Sequence, residues 1–141
     1  MDFEKKVKVL KMLKDKGVSS SKQLSDLAGN MRKMIEMKLT DDCKLVVMDL
    51  VDSVSKNSSY FDTFVADSGE QGRLLRLLSK QGVVSTKTLG DFVGNTEKLI
   101  YSDLTKTDMQ AVWMIYKQVG KANPFFDWLM AGKPEAEAQA Q

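Results

Sequence analysis

The sequence predicts an all-α fold, and three observations carry that prediction. Apolar residues recur at the i, i+3 and i+4 spacing of amphipathic helices, and strand-like alternation is absent. Capping residues and glycines divide the chain into short segments. The segment that begins at Gly17 returns at Gly82, and this offset of 65 residues (82 minus 17) runs without a gap from Val9 to Ala66. We therefore expect two tandem copies of a unit of about 60 residues, each with four to five helices, packed into one compact helical body.

The first predicted helix of each copy ends at a glycine. It spans residues 2–16 in the first copy and residues 73–81 in the second copy. Gly17 and Gly82 follow, where the chain needs the left-handed conformation that glycine adopts at little cost. The apolar faces of these helices are Phe3, Val7, Leu10 and Leu13 in the first copy and Leu74, Leu75, Leu77 and Leu78 in the second.

A short second helix follows in each copy. Ser20 and Ser85 are its predicted N-caps, because a serine hydroxyl can accept a hydrogen bond from an amide of the first turn. Ser20 and Gln23 also have the spacing of a capping box. We expect this helix to end at Gly29 or Gly94.

Three more helices complete each copy. The third is short and spans residues 31–37 or 96–102, and the fourth, which is the longest, begins after Thr40 or Thr105 with Asp108 at a capping-box position. The fifth is short and aromatic. The other predicted caps are Asn30, Asn95, Ser58, Ser59 and Asn123, and the predicted bulk of the fifth helices is Phe61, Phe64, Phe126, Trp128 and Leu129.

These boundaries predict the domain organisation. The first helical repeat covers residues 1–66 and the second covers residues 73–131, with a polar, glycine-bearing linker at residues 67–72. Residues 132–141 contain no apolar residue larger than alanine apart from the prolyl ring, so we expect a disordered tail.

The amino-acid composition excludes several classes of function. The chain has 141 residues, a net charge of +2, no histidine and one cysteine, Cys43. Histidine-dependent nucleophilic catalysis and an intrachain disulfide are therefore excluded, and Cys43 is interpreted as a thiol that fills space. We predict no enzyme activity, cofactor, metal or small-molecule substrate. Without a long apolar run or a secretory leader, the chain is expected to be soluble and cytoplasmic, with no membrane partner.

The core spacing of each copy resembles that of helix-turn-helix domains. The positions that carry the resemblance are Leu10, Leu13, Gly17, Leu24, Leu27, Gly29, Ile35 and Leu39, and Leu75, Leu78, Gly82, Leu89, Phe92, Gly94, Ile100 and Leu104. The resemblance implies a recognition helix at Met31–Lys38 and a DNA-binding regulator. The candidate DNA-binding residues are Lys22, Arg32, Lys33, Lys38 and Lys98. In the second copy Glu97 and Asp103 replace Arg32 and Lys38, and phosphate repels such carboxylates.

Several polar residues recur at the same offset. Among them are Asp62 and Asp127, which lie in the first turn of the aromatic helices. A carboxylate there favours the positive end of the helix dipole, so we interpret both as structural.

The chain is rich in methionine, with nine, and has two tryptophans. Methionine fills irregular cores, but it also lines adaptable binding surfaces, and both interpretations stay open here. The candidate partner-binding residues are Met48, Tyr101, Trp113 and Met114. The sequence therefore predicts a non-catalytic helical module for protein interaction or assembly, with a protein partner or self-association, and DNA binding is the alternative.

Overall fold

The computed structural model describes residues 2–54 and 58–134, and every regular element in these ranges is a helix. The helices are α1 (Phe3–Asp15), α2 (Ser21–Ala28), α3 (Met31–Glu36), α4 (Asp41–Ser53), α5 (Ser59–Ala66), α6 (Ser68–Lys80), α7 (Thr86–Val93), α8 (Thr96–Tyr101), α9 (Lys106–Val119) and α10 (Pro124–Ala131). The predicted all-α class is confirmed. No helix in the described ranges has the length and apolar character needed to cross a membrane.

Side-chain caps explain why such short helices form. Each of the described helices begins at a polar N-cap whose side-chain oxygen accepts a hydrogen bond from the amide three residues later. The predicted caps are used in this way except Ser59, which is the first residue of α5, while Ser58 is its N-cap. Gly17 and Gly82 follow α1 and α6 with φ values of +96° and +88°, so a residue with a Cβ atom would be strained at either position.

Helix α6 begins earlier than the sequence predicts. The carboxylate of Asp67 accepts from the amide of Glu70, which starts the helix at Ser68 rather than at Arg73. Residues 68–72, predicted as a linker, therefore form the first turns of α6, and Gly72 is buried.

The sequence predicts two capping boxes, at Ser20–Gln23 and Thr105–Asp108, but the side chains of Gln23 and Asp108 accept hydrogen bonds from other donors. The Gln23 side chain accepts from the amide of Ser19 at 2.7 Å instead of the Ser20 amide. The Asp108 carboxylate accepts from the guanidinium of Arg73 at 2.9 Å. Because Arg73 lies on α6, this second contact joins two helices that are distant in the sequence, which spacing alone does not reveal.

The segment after α10 returns to the start of the chain. The carbonyl of Gly132 accepts from the amide of Phe3 at 3.2 Å, and Pro134 is buried. A Cβ atom on Gly132 would lie 2.7 Å from that amide nitrogen, so the close approach requires glycine. The prediction of a disordered tail is therefore wrong for residues 132–134, and residues 135–141 lie outside the described residues.

The centre of the core is aromatic. Helices α5 and α10 contribute fully buried rings, and α1 packs against α4, α5, α6 and α10 around them. These rings are Tyr60, Phe61, Phe64, Phe125 and Phe126. Their edge-to-face and tilted contacts, with centroids 5.1–6.2 Å apart, are the arrangements that aromatic quadrupoles favour. Trp128, predicted as buried bulk, is only half-buried.

Two aspartates bind the first turns of distant helices. Asp62 on α5 accepts from the Ser21 amide of α2 at 2.7 Å. Asp127 on α10 accepts at 2.6 Å from both the amide and the hydroxyl of Thr86 on α7. These carboxylates lie in the first turns of their own helices, as predicted, but they also cross-link helices, which the sequence does not show.

The buried Tyr60 hydroxyl predicts an alkaline loss of stability. It donates to the Gln71 side chain at 3.2 Å, and burial raises the pKa of Tyr60 above its ordinary value of 10. Above pH 10 the unfolded chain loses this proton while the folded chain retains it, so the free energy of unfolding falls by up to about 1.4 kcal/mol per pH unit. We expect Tyr60→Phe to remove this slope.

Urea unfolding of both proteins between pH 8 and pH 11 measures this difference. Burial lowers the pKa of Lys6, which has the opposite effect in part of this range. Lys6 is present in both proteins, so its contribution cancels when the two curves are subtracted. Parallel curves for the two proteins above pH 10 would contradict the buried position of Tyr60.

Candidate protein-interaction surface

Exposed apolar side chains are concentrated on two pairs of helices. Within the described residues nine large hydrophobic side chains are exposed, and eight of them belong to these pairs. On α3 and α4 they are Met31, Ile35, Leu45 and Met48; on α8 and α9 they are Ile100, Tyr101, Trp113 and Met114. The ninth is Val84. Clustered exposed apolar residues mark binding surfaces, whereas isolated ones are ordinary.

The first pair of helices encloses an open groove of about 440 Å³. Met31 and Ile35 of α3 and Met48 of α4 line it, and the fully buried Val47 lies at its base. Its other lining residues are Ala28, Met34, Lys44, Val51 and Asp52. We call this feature the apolar groove. Its lining is apolar except for the side chains of Lys44 and Asp52.

The amphipathic pattern of α4 and the shortness of α3 create the apolar groove. Helix α4 buries Val46, Val47 and Leu50 in the core, which turns Met48 outward with 59% of its surface exposed. Helix α3 has six residues, none of them buried, and it lies between the Asn30 cap and a left-handed residue, Lys38 (φ +54°). A helix this short has no full inner face, so only Met34 packs partly against the core, while Met31 and Ile35 stay in solvent.

The second pair of helices carries larger, aromatic side chains. We call Ile100, Tyr101, Trp113 and Met114 the aromatic face. The Trp113 ring packs against the ring of Tyr116 with centroids 5.6 Å apart, and the Lys117 ammonium lies 5.7 Å from the Trp113 ring. Tyr116 also lies against Gly90 of α7. Tyr116 is the equivalent of Val51 at the 65-residue offset. The second copy therefore has a bulky ring at the position where Val51, a smaller side chain, lines the groove in the first copy.

The four predicted partner-binding residues are all exposed, but they belong to different helix pairs. Met48 lines the apolar groove, whereas Tyr101, Trp113 and Met114 belong to the aromatic face. Sequence reasoning missed Met31, Ile35 and Leu45. It placed Ile35 and Ile100 in the core, and this was wrong because 70% and 69% of their surfaces are exposed.

The five cations predicted to contact DNA are also exposed. Lys22 belongs to α2, Arg32 and Lys33 to α3, and Lys98 to α8, while Lys38 follows α3. In the part of the chain that the structure describes, none of them makes an ion pair within 4 Å. Exposed acidic residues, among them Glu36, Asp41 and Asp52, flank them on α3 and α4.

Lys6 is buried, and its ammonium group contacts Trp128. Lys6 donates from Nζ to the backbone carbonyl of Trp128, and its ammonium lies 4.6 Å from the Trp128 ring centroid. Burial lowers its pKa, while the carboxylates of Asp49 and Asp2 act in the opposite direction. Its contacts join α1 to α10, away from both apolar surfaces.

Comparisons with protein-family models, with curated proteins and with solved structures find no match to this chain.

Proposed function

We propose that this protein is a non-catalytic helical module for protein interaction or assembly, built from two tandem copies of one unit. The apolar groove carries the proposal, because it leaves the large side chains of Met31, Ile35 and Met48 in solvent. The helix boundaries support the duplication: α1, α2, α3 and α5 have the same lengths as α6, α7, α8 and α10 and begin 65 residues before them.

The groove suits the apolar stripe of an amphipathic helix from a protein partner. Its volume of about 440 Å³ accommodates several side chains, and its methionines can adapt their shape to the side chains they contact. Lys44 and Asp52 provide one charge of each sign on its lining, and such charges set the orientation of a bound helix. An apolar lining with so few polar groups offers little to recognise a polar metabolite.

DNA binding remains the second candidate, because five exposed cations lack ion pairs among the described residues. Against it, the six-residue α3 exposes Met31 and Ile35 next to Arg32, and apolar residues gain little from phosphate. Titration of duplex DNA at several salt concentrations separates the candidates. Affinity that falls steeply with salt supports DNA binding, and no affinity at low salt removes it.

Met48→Glu should weaken partner binding without unfolding the protein. A carboxylate on the lining of the groove loses its hydration when an apolar helix binds, so we expect affinity to fall at least about tenfold. The free energy of unfolding should change by less than about 0.5 kcal/mol, because Met48 is exposed. The measurement is affinity capture from cells, identification of the bound proteins, and calorimetric titration of each purified partner.

The matched control is Val84→Glu. Val84 is also an exposed hydrophobic residue, but it lies outside both apolar surfaces, so this variant should retain the partner. Equal binding by the wild type and Met48→Glu would show that the groove is not the interface.

A further inference from the structure

We infer that a second copy of this chain occupies the apolar groove, which it enters with its aromatic face. This inference rests on the proposed function and names the partner. The two surfaces together hold all but one of the large exposed hydrophobic side chains in residues 2–54 and 58–134. Both are therefore left open by the fold, and contact between the groove of one copy and the aromatic face of the next covers both.

The charges on the two surfaces are complementary. At the 65-residue offset, α3–α4 and α8–α9 and their adjoining loops are charged in both copies at five pairs of exposed positions, and the sign reverses at four of them. The reversed pairs are Arg32 with Glu97, Lys38 with Asp103, Asp41 with Lys106, and Asp52 with Lys117, whereas Lys33 and Lys98 have the same sign. Scattered surface charges have no reason to reverse together, whereas two surfaces that bind each other need opposite signs.

These charges select how the copies meet. With α3 against α8 of the next copy and α4 against α9, the members of the four reversed pairs face opposite charges, whether the helices run parallel or antiparallel. With α3 against α9, Arg32 and Lys38 would face Lys106 and Lys117, and like charges in contact oppose association. The charge pattern therefore favours the pairing of α3 with α8 and of α4 with α9 across the contact between the groove and the aromatic face.

Shape distinguishes this contact from a groove-to-groove dimer. Two facing grooves would enclose empty apolar space, which forfeits the packing contacts that stabilise an interface. The aromatic face instead offers side chains that can fill a groove, since Tyr101 is 79% exposed and Trp113 is 47% exposed. Contact between two different surfaces leaves one groove and one aromatic face free, so copies can add head to tail.

Sedimentation equilibrium of the full chain tests the inference. The groove variant is Ile35→Glu with Met48→Glu, and the aromatic variant is Tyr101→Glu with Trp113→Glu. The wild-type mass should rise with concentration beyond that of a dimer. Each variant alone should stay monomeric, and an equal mixture should form a complex of one copy of each and grow no further, because only one functional groove and one functional aromatic face remain.

Two results overturn the inference. The first is a wild type that stays monomeric up to roughly millimolar concentration. The second is an aromatic variant that dimerises alone, since that would indicate groove-to-groove contact. Either result leaves the proposed function standing if Met48→Glu still loses a different protein partner in affinity capture. If the wild type does not self-associate and Met48→Glu captures the same proteins as the wild type, the proposed function is contradicted as well.

A charge-reversal variant tests self-association without changing any apolar residue. Arg32→Glu with Lys38→Glu changes only exposed residues, so the fold should be retained, as circular dichroism can verify. We expect at least a tenfold weaker self-association, and recovery on mixing with Glu97→Lys, Asp103→Lys. Unchanged self-association would contradict the pairing of α3 with α8.

Discussion

Phe125→Ala is expected to lower the free energy of unfolding by about 3–5 kcal/mol. The Phe125 ring is fully buried and lies 5.1 Å from the Phe61 ring, 6.0 Å from Phe64, and 6.1 Å from both Tyr60 and Trp128. Alanine leaves a cavity among four aromatic neighbours and removes the favourable ring contacts. A domain of this size has about 5–15 kcal/mol of stability in total, so the variant loses a large fraction of it.

Urea unfolding, followed by circular dichroism, measures this effect. Trp113→Ala is the matched control, since it also truncates an aromatic ring, but at a position with 47% exposure. We expect the control to cost less than about 1 kcal/mol. If the two variants cost the same, the aromatic rings of α5 and α10 do not form the centre of the core.

Asp127→Ala is expected to cost about 2–3 kcal/mol, because it leaves the Thr86 amide without this acceptor and leaves the Thr86 hydroxyl only a longer contact of 3.4 Å with the Asn123 carbonyl. The amide and the hydroxyl of Thr86 both donate to this carboxylate, and Thr86 is buried with 5% of its surface exposed. Hydrogen bonds to a charged acceptor contribute more than neutral ones, and unsatisfied buried donors carry a desolvation cost.

Asp62 is the corresponding aspartate of the first half. It accepts a hydrogen bond from the amide of Ser21, so we expect Asp62→Ala to cost at least about 1 kcal/mol. Asp91→Ala, which removes an exposed carboxylate on α7, is the control for loss of charge alone. Thermal and urea unfolding of the three variants should show a larger loss of stability for Asp127→Ala and for Asp62→Ala than for Asp91→Ala. An Asp127 effect no larger than that of Asp91 would contradict the cross-link between α10 and α7.

Local chemistry made most of the fold predictable. Caps such as Ser20 and Asn123 and the glycine stops Gly17 and Gly82 act within one helical turn, so short sequence patterns reveal them. The start of α6 was missed because glycines and polar residues at 68–72 disguise a helix that the Asp67 side chain begins. Gly72 of this segment is also buried by other parts of the fold, and no local pattern shows those neighbours.

The candidate site was only partly predictable for the same reason. The sequence predicts Met48 and Trp113 as partner-binding residues, because their spacing places them beside the inner face of their helices. Ile35 and Ile100 were assigned to the core, since an isoleucine at helical spacing is usually buried. Their exposure depends on how α3 and α8 lie against the rest of the fold, which is a long-range property. The charge reversal between the two surfaces was visible in the sequence, but its meaning required knowing that all eight residues are exposed.

Photocrosslinking in cells from the position of Ile35 is the most direct test that the apolar groove is a protein-binding surface. A photoreactive phenylalanine analogue replaces Ile35 in one variant and Lys11, an exposed residue of α1, in the control. Irradiation should produce discrete protein adducts from position 35, this chain itself among them if copies associate, and none from position 11. Adducts that are equally abundant at both positions, or absent at both, would contradict the account.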